Sequence, residues 1–257
     1  MSDHMLVKEI LRTNIDCVKP DDSASKARSI IRDSKVRILP VCDAGRLIGI
    51  LSRGDVLKVT STKTNLTIDG IMNSNVITIS SDEDVMAAAE KIMNSKILYL
   101  PVVDGQEFKG IISSRDVLKH VIENRKPSKK TLESIMTTSV ITCSPEDELS
   151  KIWDKMMESG LGGLPVVEKK MVKGMITKID LLSKGSARIQ KESGKGRKVL
   201  VKKVMKSPPI TLNSRKNVGD AASLMVSRSV TKLPVVDDKN QLVGIVDVED
   251  VFKAYLS

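Results

Sequence analysis

A chain of 257 residues, 40% hydrophobic and 29% charged, has enough apolar side chains for one large core or several small ones. It lacks an apolar run near the roughly 18 residues that cross a bilayer and lacks a signal-type apolar segment, which predicts a cytoplasmic protein that does not enter a membrane. The formal charge of +10 lies wholly in two connectors, residues 123–130 with a net +3 and residues 184–203 with a net +7, so the rest of the chain is neutral.

In chain order, the first lead-in is EIL (9–11), followed by ILPV (38–41) and GILSRGD (49–55). The same order begins again with GIM (70–72). NVITIS (75–80) reads as a short β-branched strand, SSDEDV supplies capping residues, and Val85, Ala88, Ala89, Ile92 and Met93 recur at helical spacing. LPVVDGQEFKGIIS then predicts two strands around a turn at Asp104-Gly105, and the run from Asp116 restarts a helix. A third copy opens with SIM (134–136), places Leu149, Ile152, Trp153 and Met156 on one helix face, and continues through GLPV (163–166) to GMITKID (174–180). The fourth opens with KVM (203–205), places Val218, Ala221, Ala222 and Met225 alike, and ends in KLPV (232–235) and GIVDVED (244–250). From Leu11 to Pro40, Met72 to Pro101, Met136 to Pro165 and Met205 to Pro234 the separation is 29 residues each time, which marks an internal repeat. Each unit is a β-α-β-β-α module of about 55 to 60 residues, too small for a secure core of its own, so pairing of units is expected.

Catalytic and metal chemistry lack parts. Histidine occurs only at His4 and His120, and neither a nucleophile beside a base nor a phosphate loop of the G-x-x-x-x-G-K-[S/T] type is present, which predicts a protein that is not an enzyme. The three cysteines, Cys17, Cys42 and Cys143, are odd in number and far apart, and they read as reduced thiols in apolar surroundings rather than as a disulfide or a metal site.

The proline strand followed by G-h-x-[S/T]-x-x-[D/N], four times in register, resembles the cystathionine-β-synthase (CBS) domain. The resemblance covers residues 6–60, 66–122, 131–186 and 199–256. It implies an α+β fold in which consecutive units form two pseudo-twofold modules, which can assemble into a disc. It also implies binding of adenosine-containing ligands between paired units: AMP, ADP, ATP, S-adenosylmethionine or a diadenosine polyphosphate, acting as an effector and not as a redox or metal cofactor. Asp55, Asp116, Asp180 and Asp250 match the ribose-binding carboxylate, although an aspartate at a helix start also serves as an N-cap in its own right. Ser52, Ser113 and Thr177 match the hydroxyl on the phosphate or ribose side, next to the positive end of a helix. Ile77, Ile141 and Ile210 match the base pocket, with the departure Asp16 in the first unit, and they also suit plain core. Of the slots just before the proline, Arg37 and Lys232 bring charge, Leu98 and Tyr99 do not, and Gly162 and Gly163 allow close backbone approach. Arg53, Arg115 and Lys178 read as solvated surface charges. Asp247 is the atypical position: ionised, it repels a phosphate, and it can instead pair with Lys232.

The expected function is a ligand sensor that acts on a regulated protein partner, as a single chain or a homodimer. Two alternatives stand beside it. The basic 184–203 segment suits nucleic acid, against which two Phe, two Tyr and one Trp leave few stacking platforms. The other is a structural adaptor whose clefts hold nothing.

Overall fold

The computed structural model of the protein describes residues 4–59, 66–125, 128–183 and 198–256. Most of the basic 184–203 connector, and residues 126–127 of the other, lie outside the described residues. The first unit comprises α1 (Ala24–Asp33), β1 (Ile38–Asp43), β2 (Arg46–Ser52) and α2 (Arg53–Leu57); the second comprises α3 (Val85–Ser95), β3 (Tyr99–Asp104), β4 (Glu107–Ser113) and α4 (Ser114–Asn124). The third has α5 (Leu149–Glu158), β5 (Gly163–Glu168), β6 (Met171–Thr177) and α6 (Lys178–Ser183). The fourth has β7 (Leu212–Asn213), α7 (Val218–Ser227), β8 (Lys232–Val236), β9 (Leu242–Asp247) and α8 (Val248–Leu256). Capping residues start the first helix of three units: Ser23 accepts from the Lys26 N–H, Asp84 from Met86 and Asn217 from Asp220. Among the described residues no helix is long and apolar enough to cross a membrane.

The opening strand of each unit is shorter than its β-branched sequence predicts. In the second unit it makes one parallel bridge, Ile79 to Val102, with Ile79 N–H donating to Pro101 O (3.1 Å) and Val103 N–H to Ile79 O (2.9 Å). The next rung towards the N-terminus would need an N–H on Pro101, which proline lacks. The same single bridge joins Val18 to Val41 and Cys143 to Val166, and only the fourth unit extends it to the two residues of β7. The repeated proline therefore limits how far the opening segment can pair with the sheet.

Each lead-in crosses to the neighbouring unit. Arg12 bridges to Ile111 and Asn73 to Ile50; Thr137 bridges to Ile245 and Lys206 to Met175. Units one and two also share a four-stranded sheet in the order β1-β2-β4-β3, joined at Arg46 and Glu107. The two cores run across these pairs: one combines units one and three, the other units two and four. Helix α2 packs on α6, and α4 packs on α7 and α8, so the two modules close helix face to helix face within one chain.

One expectation about cysteine is overturned. Cys17 and Cys42 form a disulfide, with Cα atoms 5.7 Å apart, and only Cys143 is a buried free thiol. Their separation of 25 residues concealed that they flank the Val18–Val41 bridge, which brings them within disulfide reach.

Candidate functional site

The ends of the first three hairpins each present a hydroxyl and an aspartate together. Asp55 Oδ2 accepts from the Ser52 N–H (2.8 Å) and hydroxyl (2.7 Å), while Ser52 Oγ accepts from the Asp55 N–H (3.4 Å). Asp116 Oδ2 accepts from the Ser113 N–H (3.0 Å) and hydroxyl (2.6 Å), and Asp180 Oδ2 accepts from the Thr177 N–H (2.7 Å) and hydroxyl (2.5 Å). The cap in the first two units is thus the serine, and the aspartate closes a capping box from the third helical position. The expectation that the aspartate itself is the N-cap is corrected: the hydroxyl residue stands one turn earlier and is the one whose backbone is extended.

The box occupies Oδ2 of each carboxylate, and the surroundings of Oδ1 differ from unit to unit. Asp116 Oδ1 accepts from Arg12 Nη2 at 2.6 Å, and Asp55 Oδ1 lies 3.5 Å from Lys58 Nζ. Among the described residues no side chain donates to Oδ1 of Asp180. On the opening segments Ile77 and Ile141 are 42% and 43% exposed, so neither is plain core. Ile210 is half-buried and Asp16 is exposed. Gly162 faces open space, while a Cβ on Gly163 would meet Ile176 O at 3.1 Å, so the third cleft carries no side chain in the two slots before its proline.

The fourth cleft differs in charge. Asp247 Oδ1 accepts from the Glu249 N–H (3.0 Å) and the Asp250 N–H (3.3 Å), and its Oδ2 takes a hydrogen bond from Lys232 Nζ at 2.8 Å. The pairing of Asp247 with Lys232 therefore forms. Burial alone would raise the Asp247 carboxyl, but the Lys232 ammonium holds it below the usual value. Asp250 is pushed up to about 6, chiefly by burial and by the Asp247 charge. A cavity of about 360 Å³ opens beside Asp250 along α8, lined by Lys130, Ile135, Lys253 and Ala254.

The CBS-domain family model matches residues 7–61, 68–123, 132–186 and 201–257. The chain belongs to the CBS-domain family. Protein MJ1225 of Methanocaldococcus jannaschii is 26% identical over 93% of this chain and 94% of its own length. Its solved structure superposes with a TM-score of 0.86 at 24% identity, covering 98% of this chain. Protein MJ1404 of the same organism is 28% identical over 96% of this chain, which spans 61% of that protein. The inosine-5′-monophosphate dehydrogenase of Korarchaeum cryptofilum is 33% identical over 50% of this chain and 25% of the enzyme.

Two features of these CBS units escape a reading of the motifs alone. The motif glycine is the seat of the partner's lead-in. A Cβ on Gly110 would lie 2.2 Å from Arg12 O, on Gly174 2.6 Å from Lys206 O, and on Gly49 and Gly244 2.4 and 2.5 Å from the Sδ of Met72 and Met136. Arg53 and Lys178, expected on the surface as solvated charges, are half-buried where α2 meets α6. Arg53 donates to Val36 O at 2.9 Å and to Lys35 O, and Lys178 donates to Gly160 O at 3.4 Å. Burial lowers Arg53 to about 10, with the Arg37 charge assisting, and burial likewise lowers Lys178.

Proposed function

We propose that this CBS protein is a sensor without catalytic activity that binds an adenosine-containing ligand between paired units and signals its presence to a protein partner in the cytoplasm. The observation that carries the reading is the third cleft. There a large apolar side chain, Ile141, is left 43% exposed in the same unit as the Thr177 hydroxyl, an Asp180 oxygen to which no described side chain donates, and the bare backbone of Gly162. Exposing such a side chain forgoes roughly 1 kcal/mol or more of transfer free energy, which a flat, stacking base recovers on binding. In this reading Asp180 accepts the ribose hydroxyls and Thr177 the adjoining phosphate or ribose oxygen; Asp55 and Ser52, Asp116 and Ser113 are their counterparts. Asp250 stands in a cleft where Asp247 already has Lys232 as its cation. The relative MJ1225 has been put forward as an archaeal homologue of g-AMPK, which supports a regulatory role. A ligand can shift the angle between modules only by as much as its affinities for the two arrangements differ. A disulfide is unusual in a reducing cytoplasm, although intracellular proteins of hyperthermophiles retain them.

Calorimetric titration with AMP, ADP, ATP, S-adenosylmethionine and diadenosine tetraphosphate tests the reading. At least one is expected to bind, and Asp180→Asn, which keeps an acceptor for the Thr177 cap, is expected to weaken it about tenfold, the order of one charge-assisted hydrogen bond. No heat and no thermal shift with any of the five would overturn the proposal.

A further inference from the structure

Each unit has to hold its opening segment against a sheet that offers little pairing, and the four units do so by different means. In units two and three the seventh residue of the first helix is a lysine that reaches back over the segment. Lys91 Nζ donates to Thr78 O at 3.3 Å, and Lys155 Nζ donates to Thr142 O at 2.9 Å. Unit four puts Leu224 at that position and instead lengthens the pairing to the two residues of β7. Unit one has neither device. Ile30 takes the place of the lysine in α1, no described side chain donates to the Cys17 carbonyl, and pairing stops at the single Val18–Val41 bridge. What unit one has is the disulfide, which joins the residue before Val18 to the residue after Val41. Those two positions are threonine and valine in each of the other three units.

Cys17 is exposed and Cys42 half-buried, so the bond lies at the surface, within reach of a dissolved thiol. Exposed disulfides are the readily reduced class, and those of a reducing compartment are mostly transient or redox-sensing. Three sister units adopt the same fold without one, so the bond is not what makes the unit fold. We propose that Cys17–Cys42 is a reversible redox anchor for the opening segment of unit one. Oxidised, it fixes the segment to β1. Reduced, it leaves the segment to the Val18 bridge alone, with Val18 N–H donating to Pro40 O (3.0 Å) and Cys42 N–H to Val18 O (2.9 Å), and without the lysine or the longer strand of the other units. The reductant is a dithiol. Its thiolate attacks the exposed Sγ of Cys17, the S–S bond breaks, and Cys42 leaves as a thiolate that takes up a proton. The second thiol then displaces Cys17 from the mixed disulfide, so two electrons and two protons pass to the protein and the reagent closes into its own disulfide. Asp16, at the position of Ile77 and Ile141, is carried on the anchored segment. Control of ligand binding in the first cleft therefore rests on the reading above, whereas release of the segment rests on the anchors alone.

The test follows amide hydrogen exchange by NMR in the full chain, oxidised and after treatment with dithiothreitol. The amides of Val18 and Cys42 are compared with those of Ile79, Val103, Cys143 and Val167, which make the same two bonds in units two and three. Reduction is expected to speed exchange at Val18 and Cys42 about tenfold or more and to change the other four less than about threefold, because the lost cross-link suppresses one local opening only. Cys17→Thr combined with Cys42→Val, the residues that the sister units carry, is expected to exchange like the reduced chain in either buffer. Adding Ile30→Lys to that variant is expected to recover most of the protection by restoring the lysine anchor. Unchanged exchange at Val18 and Cys42 on reduction would overturn the inference. So would a disulfide that dithiothreitol reaches only in the unfolded chain, and so would equal acceleration in all units, which would make the bond a staple of the whole fold. Titrating the adenosyl compounds in both redox states separates this proposal from the adenosine reading. If the segment is released and no compound binds in either state, the anchor stands and the adenosine reading falls. If a compound binds equally in both states and the segment is not released, the adenosine reading stands and the anchor falls. Weaker binding or fewer sites on release would support control of the first cleft, and unchanged binding despite release would overturn that control.

Discussion

Replacing a hydroxyl by a carboxylate at residue 247 leaves the helix cap intact, because aspartate accepts from the helix N–H groups as well as serine does. What changes is charge. Burial and the neighbouring Asp247 push Asp250 up to about 6, so the native state holds its proton more tightly than the unfolded chain. Stability from this group is then fully present below the ordinary value of 3.8 and declines as pH rises towards about 6. Asp247, lowered by Lys232, works in the opposite sense, and its contribution is lost as pH falls below the ordinary value. Carboxyl NMR titration is expected to find the Asp250 midpoint near 6, and to find it lower in Asp247→Ser, which removes the charge but not the burial. An unmoved midpoint would show that burial acts alone. The cysteines give a second expectation at this scale. Cys143 is buried, which pushes its thiol up to about 12, and Cys17 is bonded to Cys42. A thiol reagent should therefore find no reactive group in the folded protein, one after unfolding without reductant, and three after reduction. Three reactive thiols in the unfolded, unreduced chain would exclude the disulfide.

At the scale of elements, the motif glycine owes its identity to the lead-in of the neighbouring unit. At Gly110 and Gly174 an added methyl meets a backbone oxygen, while at Gly49 its closest contact is the end of the Met72 side chain, which can turn aside, and at Gly244 it meets Met136 as far back as Cβ. Gly174→Ala is therefore expected to cost about 1–3 kcal/mol in urea unfolding, as overpacking does, and Gly49→Ala distinctly less. Equal losses would mean that the lead-ins yield as readily through backbone as through side chain. These contacts join residues far apart in sequence, which is why the sequence delivers the repeat and the hairpins but not the crossing of Val7 or Leu132 into another unit's core. NVITIS reads as a strand for a related reason. Its β-branched pattern is local, whereas the proline N–H that is missing from its partner belongs to a different segment.

At the scale of the whole molecule, the sequence announces four equivalent units and the assembly makes them unequal. Asp55, Asp116, Asp180 and Asp250 are legible from spacing. Arg12 on Asp116 is not, since it arrives on a crossed lead-in, and neither is the half-burial of Arg53 and Lys178 at the start of helices that pack on each other. The meeting is hydrophobic: Ala27, Ile31, Val56 and Leu57 of unit one share a core with Ile152, Met156, Leu181 and Leu182 of unit three. Cutting the chain between modules would leave that face, and its counterpart on units two and four, open to water as a patch larger than soluble monomers tolerate. An excised module spanning residues 4–125 retains its own shared sheet and crossed lead-ins, so the face it exposes is a prepared surface with one obvious complement, a second module. It is expected to self-associate at micromolar concentration in light scattering, and adding the separate module 128–256 should convert it to the mixed pair, because only that pair buries both faces as the intact chain does. A folded, monodisperse single module that ignores its partner would show that the connector, and not the apolar seam, holds the two halves together.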